Sequence, residues 1–220
     1  MSRRNLPLFI AIIAGLACAP FVWGVAEDAS WVHQFDQAIV QVVTAWRPAW
    51  LSTVMLTVTN FGDPLSVVFL AAALAFAIGW THRYRQAAYC IYTIAGLSAC
   101  NNLLKHWLRR PRPFIADPSI TPLTHAAGYS FPSGHSSGAM LLYGSIILLC
   151  GLWPWPARAK ALVRTLCIIM IASIGYSRIY VQVHYPSDVA AGFLSALCGL
   201  CLLWWLIAPS LKQEETALPH

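Results

Sequence analysis

An all-α bundle of membrane-spanning helices is the fold class this sequence predicts, and three observations predict it. Charged residues make up 10% of the chain, whereas a soluble domain carries about 25%. Apolar residues make up 58% of the 220, and mean hydropathy is +0.61. Apolar stretches recur at about 20 residues, the length a helix needs to cross a hydrocarbon core of roughly 30 Å. The 13 glycines and 14 prolines are too few for a disordered or collagen-like chain. The formal charge of +6 comes from 14 lysines and arginines dispersed along the chain, with no basic face or arm. Nucleic acid is therefore not an expected partner.

The first span is Leu6–Ala26. It follows Met-Ser-Arg-Arg-Asn, as a signal peptide would, but its apolar run of 21 residues exceeds the roughly 7–15 of a signal's apolar region, so it reads as an uncleaved anchor. Further spans are expected at Pro64–Trp80, 87–104, 137–153, 161–180 and 189–208, making six. Segment 27–62 is more mixed. Within it, 48–61 has apolar residues at helical spacing interrupted by Ser52, Thr53, Thr57 and Asn60. An interfacial amphipathic helix is expected there, with a tilted span entering near Trp50 as the alternative. No internal repeat or low-complexity segment divides the chain, so 1–220 reads as one domain.

Loop charge orients the bundle. A cytoplasmic N-terminus puts Arg3, Arg4, Arg83, Arg85, Arg158, Lys160, Arg164 and Lys212 inside, eight of the fourteen cations. Outside lie Arg47, Lys105, Arg109, Arg110, Arg112 and Arg178, most of them in two clusters, which suggests a site. Six spans return the C-terminus to the cytoplasm. Trp23, Trp80, Trp107, Trp153, Trp204 and Trp205 fall near span ends, where interface anchors belong. The seven cysteines all sit in apolar runs, with no CxxC pair, so they read as small hydrophobes rather than disulfides or metal ligands.

Three polar clusters interrupt the apolar chain. Lys105 to Pro113 ends the third span; Pro132-Ser133-Gly134-His135 precedes the fourth; Ser177-Arg178, His184 and Asp188 bridge the fifth and sixth. Odd spans exit outward and even spans re-enter, so parity places all three on one side. Lys105, Arg112 and Arg178 suit a phosphate, arginine through bidentate hydrogen bonds and lysine as a compact charge. Ser133-Gly134 opens a helix whose unpaired N–H groups can hold an anion. One of the two histidines can attack phosphorus while the other protonates the leaving oxygen. Asp188, four residues after His184, can hold its imidazole in one tautomer.

These clusters resemble the type-2 phosphatidic-acid phosphatase superfamily of membrane lipid phosphatases, whose signature is Lys-x6-Arg-Pro, Pro-Ser-Gly-His and Ser-Arg-x5-His-x3-Asp. Every signature position is filled between residues 105 and 188. The resemblance implies His184 as the nucleophile forming a phosphohistidine, Asp188 as its orienting acid and His135 as the general acid. Lys105, Arg112 and Arg178 would clamp the phosphoryl oxygens, with Ser133 and Gly134 completing the cradle.

Each feature has a plainer reading alone. Arg112 between two prolines reads as a loop cation meeting lipid phosphates, His184 with Asp188 as half a metal site, Ser133 as a helix cap. Their joint order and spacing favour the active site. Arg109 and Arg110 flank the first motif, where they can attract an anionic headgroup; His33, His82, His106, His125 and His220 read as ordinary loop or interface residues, of which His106 and His125 can touch a headgroup. No carboxylate cluster suited to Mg²⁺ is evident, since Asp117 is solitary and Asp63 lies across a different loop. No cofactor and no metal are expected. A transporter, the rival class, would place ionisable residues near the bilayer midplane, whereas these lie at span ends.

The expectation is an outward-facing lipid phosphatase of a bacterial plasma membrane. Undecaprenyl diphosphate leads as substrate, ahead of phosphatidylglycerophosphate and phosphatidic acid, then lipid A phosphatase or phosphotransferase chemistry. Expected partners are the lipid substrate and membrane lipids, with no obligate protein partner.

Overall fold

The computed structural model describes residues 4–217; Arg3 and His220 lie outside the described residues. Nine α-helices follow in order among them: α1 Leu6–Ala26, α2 Ser30–Thr44, α3 Ala49–Thr59, α4 Pro64–Trp80, α5 Tyr84–Leu108, α6 Pro113–Ala116, α7 Gly134–Leu149, α8 Ala157–Tyr180 and α9 Pro186–Ala217. A 3-10 turn, Asn60–Gly62, joins α3 to α4. No strand occurs among the described residues.

Local chemistry sets the helix ends that matter to the site. Asp63 caps α4, its Oδ1 accepting from Leu65 N–H at 3.0 Å, and Pro64 occupies the first position, where the missing N–H is no loss. Arg109 closes α5 in the left-handed region at φ 50°, the usual helix stop. Ser133 caps α7 and accepts from Ser136 N–H at 3.4 Å.

Helix α7 is the central post, packed by α4, α5, α8 and α9. Small residues permit this closeness. A Cβ on Gly138 would come 3.3 Å from a Val67 methyl, and one on Gly192 of α9 would sit 2.7 Å from the Ser133 carbonyl oxygen. Leu141, Leu142, Ile174 and Leu200 fill the core around it. On the outside, Leu65, Phe69, Phe76, Tyr92 and Leu103 are each at least 70% exposed. So many exposed large apolar side chains fit a lipid-facing exterior, not a water-facing one.

Three helices, α1, α8 and α9, are each long and apolar enough to span, and the α3–α4 pair, bent by 56°, counts as a fourth if it is one broken span. The 16-residue α7 is apolar but shorter. The expected spans coincide with helices, with shifted ends. α7 starts at Gly134, earlier than expected, because Ser133 caps it, and α9 runs on to Ala217.

Three differences from the sequence reading have physical causes. Segment 30–44 is a helix, α2, whose inward residues include a charged one, Asp36. The expected helix in 48–61 is α3, which packs against α8. Trp153 and Trp204 are interior residues. Trp153 donates its indole N–H to Gln86 at 2.8 Å, and Trp204 meets Tyr89 edge-on. Trp23, Trp80 and Trp107 are exposed, as anchors should be.

At one end of the bundle the starts of α4, α7 and α9 meet the ends of α5 and α8. At the other, Arg83 makes a bidentate pair with Glu215 at 2.7 and 2.8 Å, tying α5 to the end of α9.

Candidate active site

His184 lies in the α8–α9 loop, 2% exposed. Pro186 starts α9, so Asp188 falls in the first turn with its carboxylate reaching back over the loop. His184 Nδ1 is 3.3 Å from Asp188 Oδ2, and Nε2 is 3.2 Å from Arg112 Nη1. A guanidinium only donates. Nε2 must therefore be the accepting nitrogen and Nδ1 the one carrying hydrogen, which it directs at Asp188. Burial pushes the imidazole down to about 3, against the hydrogen bond and charge of Asp188, with Arg178 and Arg112 lowering it further. His184 is thus neutral at neutral pH, and its Nε2 lone pair faces a cation-lined space, as a nucleophile requires.

Neutral oxygens hold the three motif cations. Arg112 is 7% exposed and donates to the carbonyls of Gly128, Val183 and Ala127 at 2.9, 2.9 and 2.7 Å. Burial lowers its affinity for the proton, against the charge of Asp188. Lys105 donates to the carbonyls of Tyr129 and Ser130 at 2.7 and 3.3 Å. Arg178, 3% exposed, donates to Thr59 Oγ1 at 2.5 Å, and its buried Nε has no hydrogen-bond partner. Carbonyls and a hydroxyl orient these groups without neutralising them. Asp188 and Asp63 act on them only from a distance, so an anion entering the cavity meets cations with no carboxylate hydrogen-bonded to them.

Lys105, Arg112, Arg178, Gly134, His135 and His184 line one cavity of about 370 Å³, within the usual size for a small-molecule site. All three clusters thus meet at one place. Gly134 presents open space, since a Cβ built there meets nothing within 4 Å. Ser133 is placed differently. It does not line the cavity; it is fully buried, caps α7, and donates its N–H to the Asp188 carbonyl at 3.0 Å. It locks α7 to α9 beneath the cavity floor.

Asp63, read from sequence as lying across another loop, also lines the cavity, and its Oδ2 is 4.0 Å from His135 Nε2. The bend between α3 and α4 brings it there, with Gly62 packed on Ile174 and the His135 backbone. His125 lines the cavity as well, whereas His106 faces outward and bonds to the Asn102 carbonyl at 2.8 Å.

Arg110 corrects the sequence reading. Instead of reaching for headgroups, it donates to Asp188 Oδ1, Ser187 Oγ and Asp36 Oδ2, each at 2.7 Å, with its guanidinium 4.0 Å from the centre of the Tyr185 ring. Burial lowers its proton affinity, but Asp188 and Asp36 more than offset this and raise it. Asp36 is pushed up by burial, against Arg110 and Ser187. Ser130, also unforeseen, donates its hydroxyl to Asp188 Oδ2. No local pattern marks Asp36 or Ser130, since Asp36 sits among polar neighbours such as His33, Gln34 and Gln37.

Residues 86–212 match the PAP2 superfamily. Phosphatidylglycerophosphatase B of Bacillus subtilis (strain 168) is 30% identical over 182 residues, covering 80% of this chain and 83% of that protein. Undecaprenyl-diphosphatase BcrC of the same organism is 31% identical, covering 67% and 70%. The crystal structure of a transmembrane PAP2-type phosphatidylglycerolphosphate phosphatase from Bacillus subtilis superposes with a TM-score of 0.78 at 25% identity, over 93% of this chain and 97% of that one. The match extends over more than half of the chain and takes in Lys105, Arg112, Ser133-Gly134-His135, Arg178, His184 and Asp188: this protein belongs to the PAP2 superfamily of membrane phosphatases.

Proposed function

We propose that this chain hydrolyses a lipid phosphate or diphosphate at the outer leaflet of a bacterial plasma membrane, through a phosphohistidine on His184. The observation that carries the reading is the trio of cations gathered round one cavity and bonded to carbonyls, a hydroxyl and the His184 ring rather than to carboxylates, beside a neutral histidine whose Nε2 faces them. Nε2 of His184 donates its pair to phosphorus as the bond to the leaving oxygen breaks, and His135, which burial and the nearby cations keep neutral before substrate binds, takes up a proton together with the anionic substrate and passes it to that oxygen. Water then attacks the phosphohistidine, His135 takes its proton, and the pair returns to Nε2. Lys105, Arg112 and Arg178 stabilise charge on the equatorial oxygens, aided by the first N–H groups of α7.

The proposed topology is six spans with both termini cytoplasmic. Among the described residues no three of His, Cys, Asp or Glu are grouped so as to hold a metal ion, and in this reading the cations take the part that Mg²⁺ plays in other phosphoryl-transfer enzymes. Turnover without a metal is part of the proposal. Undecaprenyl diphosphate is the favoured substrate, supported by the 31% identity to an undecaprenyl-diphosphatase. Phosphatidylglycerophosphate is the second, supported by the 30% identity to phosphatidylglycerophosphatase B; phosphatidic acid and lipid A follow.

Phosphate release by the purified protein from undecaprenyl diphosphate, phosphatidylglycerophosphate, phosphatidic acid and lipid A, with excess chelator present, tests this reading. The highest kcat/KM should fall on undecaprenyl diphosphate, chelator should leave turnover unchanged, and vanadate should inhibit. His184→Ala and His135→Ala should each lower kcat by at least about 10²–10⁴-fold. Activity lost in chelator and restored by Mg²⁺ would refute the metal-free mechanism, and undiminished turnover in His184→Ala would refute the nucleophile.

A further inference from the structure

Asp188 faces two directions. Its Oδ2 accepts from Ser130, from Tyr185 N–H at 2.9 Å and from the His184 ring at 3.3 Å. Its Oδ1 accepts from Arg110 at 2.7 Å. The same guanidinium is shared with Asp36, which arrives on α2 from 74 residues earlier in the chain. Asp36 also takes Ser187 N–H and Oγ–H, both at 2.8 Å, and so fixes the first turn of α9 from outside. Asp188 is fully buried and Asp36 is 3% exposed; neither lines the phosphate cavity, nor does Arg110.

Charge explains why a second acid belongs here. Arg110 alone would cancel Asp188, leaving little negative charge to face the imidazole. With Asp36 on the other side of the guanidinium, the set Asp36–Arg110–Asp188 carries one net negative charge, and Oδ2 directs it at His184. That charge matters most once Nε2 has bonded to phosphorus, because the ring then keeps its Nδ1 hydrogen and becomes cationic.

We propose that Arg110 and Asp36 are positioning residues for the reaction at His184, holding Asp188 so that one oxygen is occupied and the other is aimed, still charged, at the imidazole. The inference rests on His184 being the nucleophile. Partners that orient metal-ligating side chains contribute about 10–100-fold in activity, and the same order is expected for partners that orient Asp188. Because neither residue touches the phosphate cavity, their loss should appear in kcat and not in KM.

The experiment measures kcat and KM of the full-length protein on undecaprenyl diphosphate and phosphatidic acid for Asp36→Asn, Arg110→Gln and Arg110→Lys, each alone and combined with Asp188→Asn, beside His184→Ala. Asp36→Asn and Arg110→Gln should lower kcat about 10–100-fold with KM changed by less than about twofold. Arg110→Lys, which keeps the charge but cannot span both acids, should recover part of the loss. Combined with Asp188→Asn, each should cost almost nothing more, since all act through one carboxylate; a purely structural role would add its cost again. Asp36→Asn preserves shape, so it carries the test if an arginine variant does not fold. Wild-type kcat in Asp36→Asn, an effect confined to KM, or full additivity with Asp188→Asn would overturn the inference while leaving His184 as nucleophile. Turnover in His184→Ala would instead overturn the underlying mechanism, whatever Arg110 does.

Discussion

Gly134 shows what a single residue contributes when its neighbour is a ligand and not the protein. A Cβ there meets nothing within 4 Å, so packing does not demand glycine; close approach of an anion to the helix N-terminus does. Gly134→Ala should keep or raise the melting temperature while raising KM; equal KM would show that the phosphate does not approach this backbone. His184 carries a pH signature. Burial holds it at about 3 in the folded protein, against about 6.5 when free. The unfolded chain therefore binds the extra proton first, and this group's contribution to stability is complete above about pH 6.5 and is lost as pH falls toward 3. His184→Gln removes that loss, so its melting temperature relative to wild type should rise between about pH 7 and 4; a constant difference would contradict the burial. At this scale the motif residues were legible because charged side chains stand out in an apolar chain. Arg110 was misread because nothing adjacent distinguishes a surface arginine from one bridging two buried acids. Its partner Asp36 is 74 residues away, and only folding brings them together.

The crossing of α7 and α9 is the element-scale determinant of the site, since α7 carries His135 and α9 carries Asp188. Two contacts fix it: Ser133 N–H to the Asp188 carbonyl at 3.0 Å, and Gly192 set against the Ser133 carbonyl. A Cβ on Gly192 would lie 2.7 Å from that backbone oxygen and 3.2 Å from Ser136 Cβ, so the helices must part. Gly192→Ala should cost about 1–3 kcal/mol of stability and lower activity although it lies outside the cavity; unchanged stability and turnover would show that the crossing tolerates displacement. The long apolar helices were legible from length and hydropathy alone. Helix α2 was not, because its 15 residues mix apolar with polar ones and its inward face includes an aspartate. The break between α3 and α4 was legible in Gly62-Asp63-Pro64, but the direction of the bend that brings Asp63 to His135 was not, since it depends on packing of α3 against α8 and of the 3-10 turn against α7.

For the molecule as a whole, span parity anticipated that three distant motifs would meet at one end of the bundle, and they line a common cavity. Parity also predicts the side of the membrane that this end faces. Ser119 is exposed in the loop after α6. A cysteine placed there, in a background lacking the native thiols, should react with a membrane-impermeant reagent in intact spheroplasts; labelling only after lysis would invert the topology. The central claim, that phosphate passes through His184, has a direct chemical readout. Undecaprenyl diphosphate labelled with ³²P in its terminal phosphate is mixed with the enzyme and quenched within the first turnover. The account predicts protein-bound label that is lost in acid, survives alkali and is absent from His184→Ala. Turnover without any such label, or label that persists in His184→Ala, would contradict it.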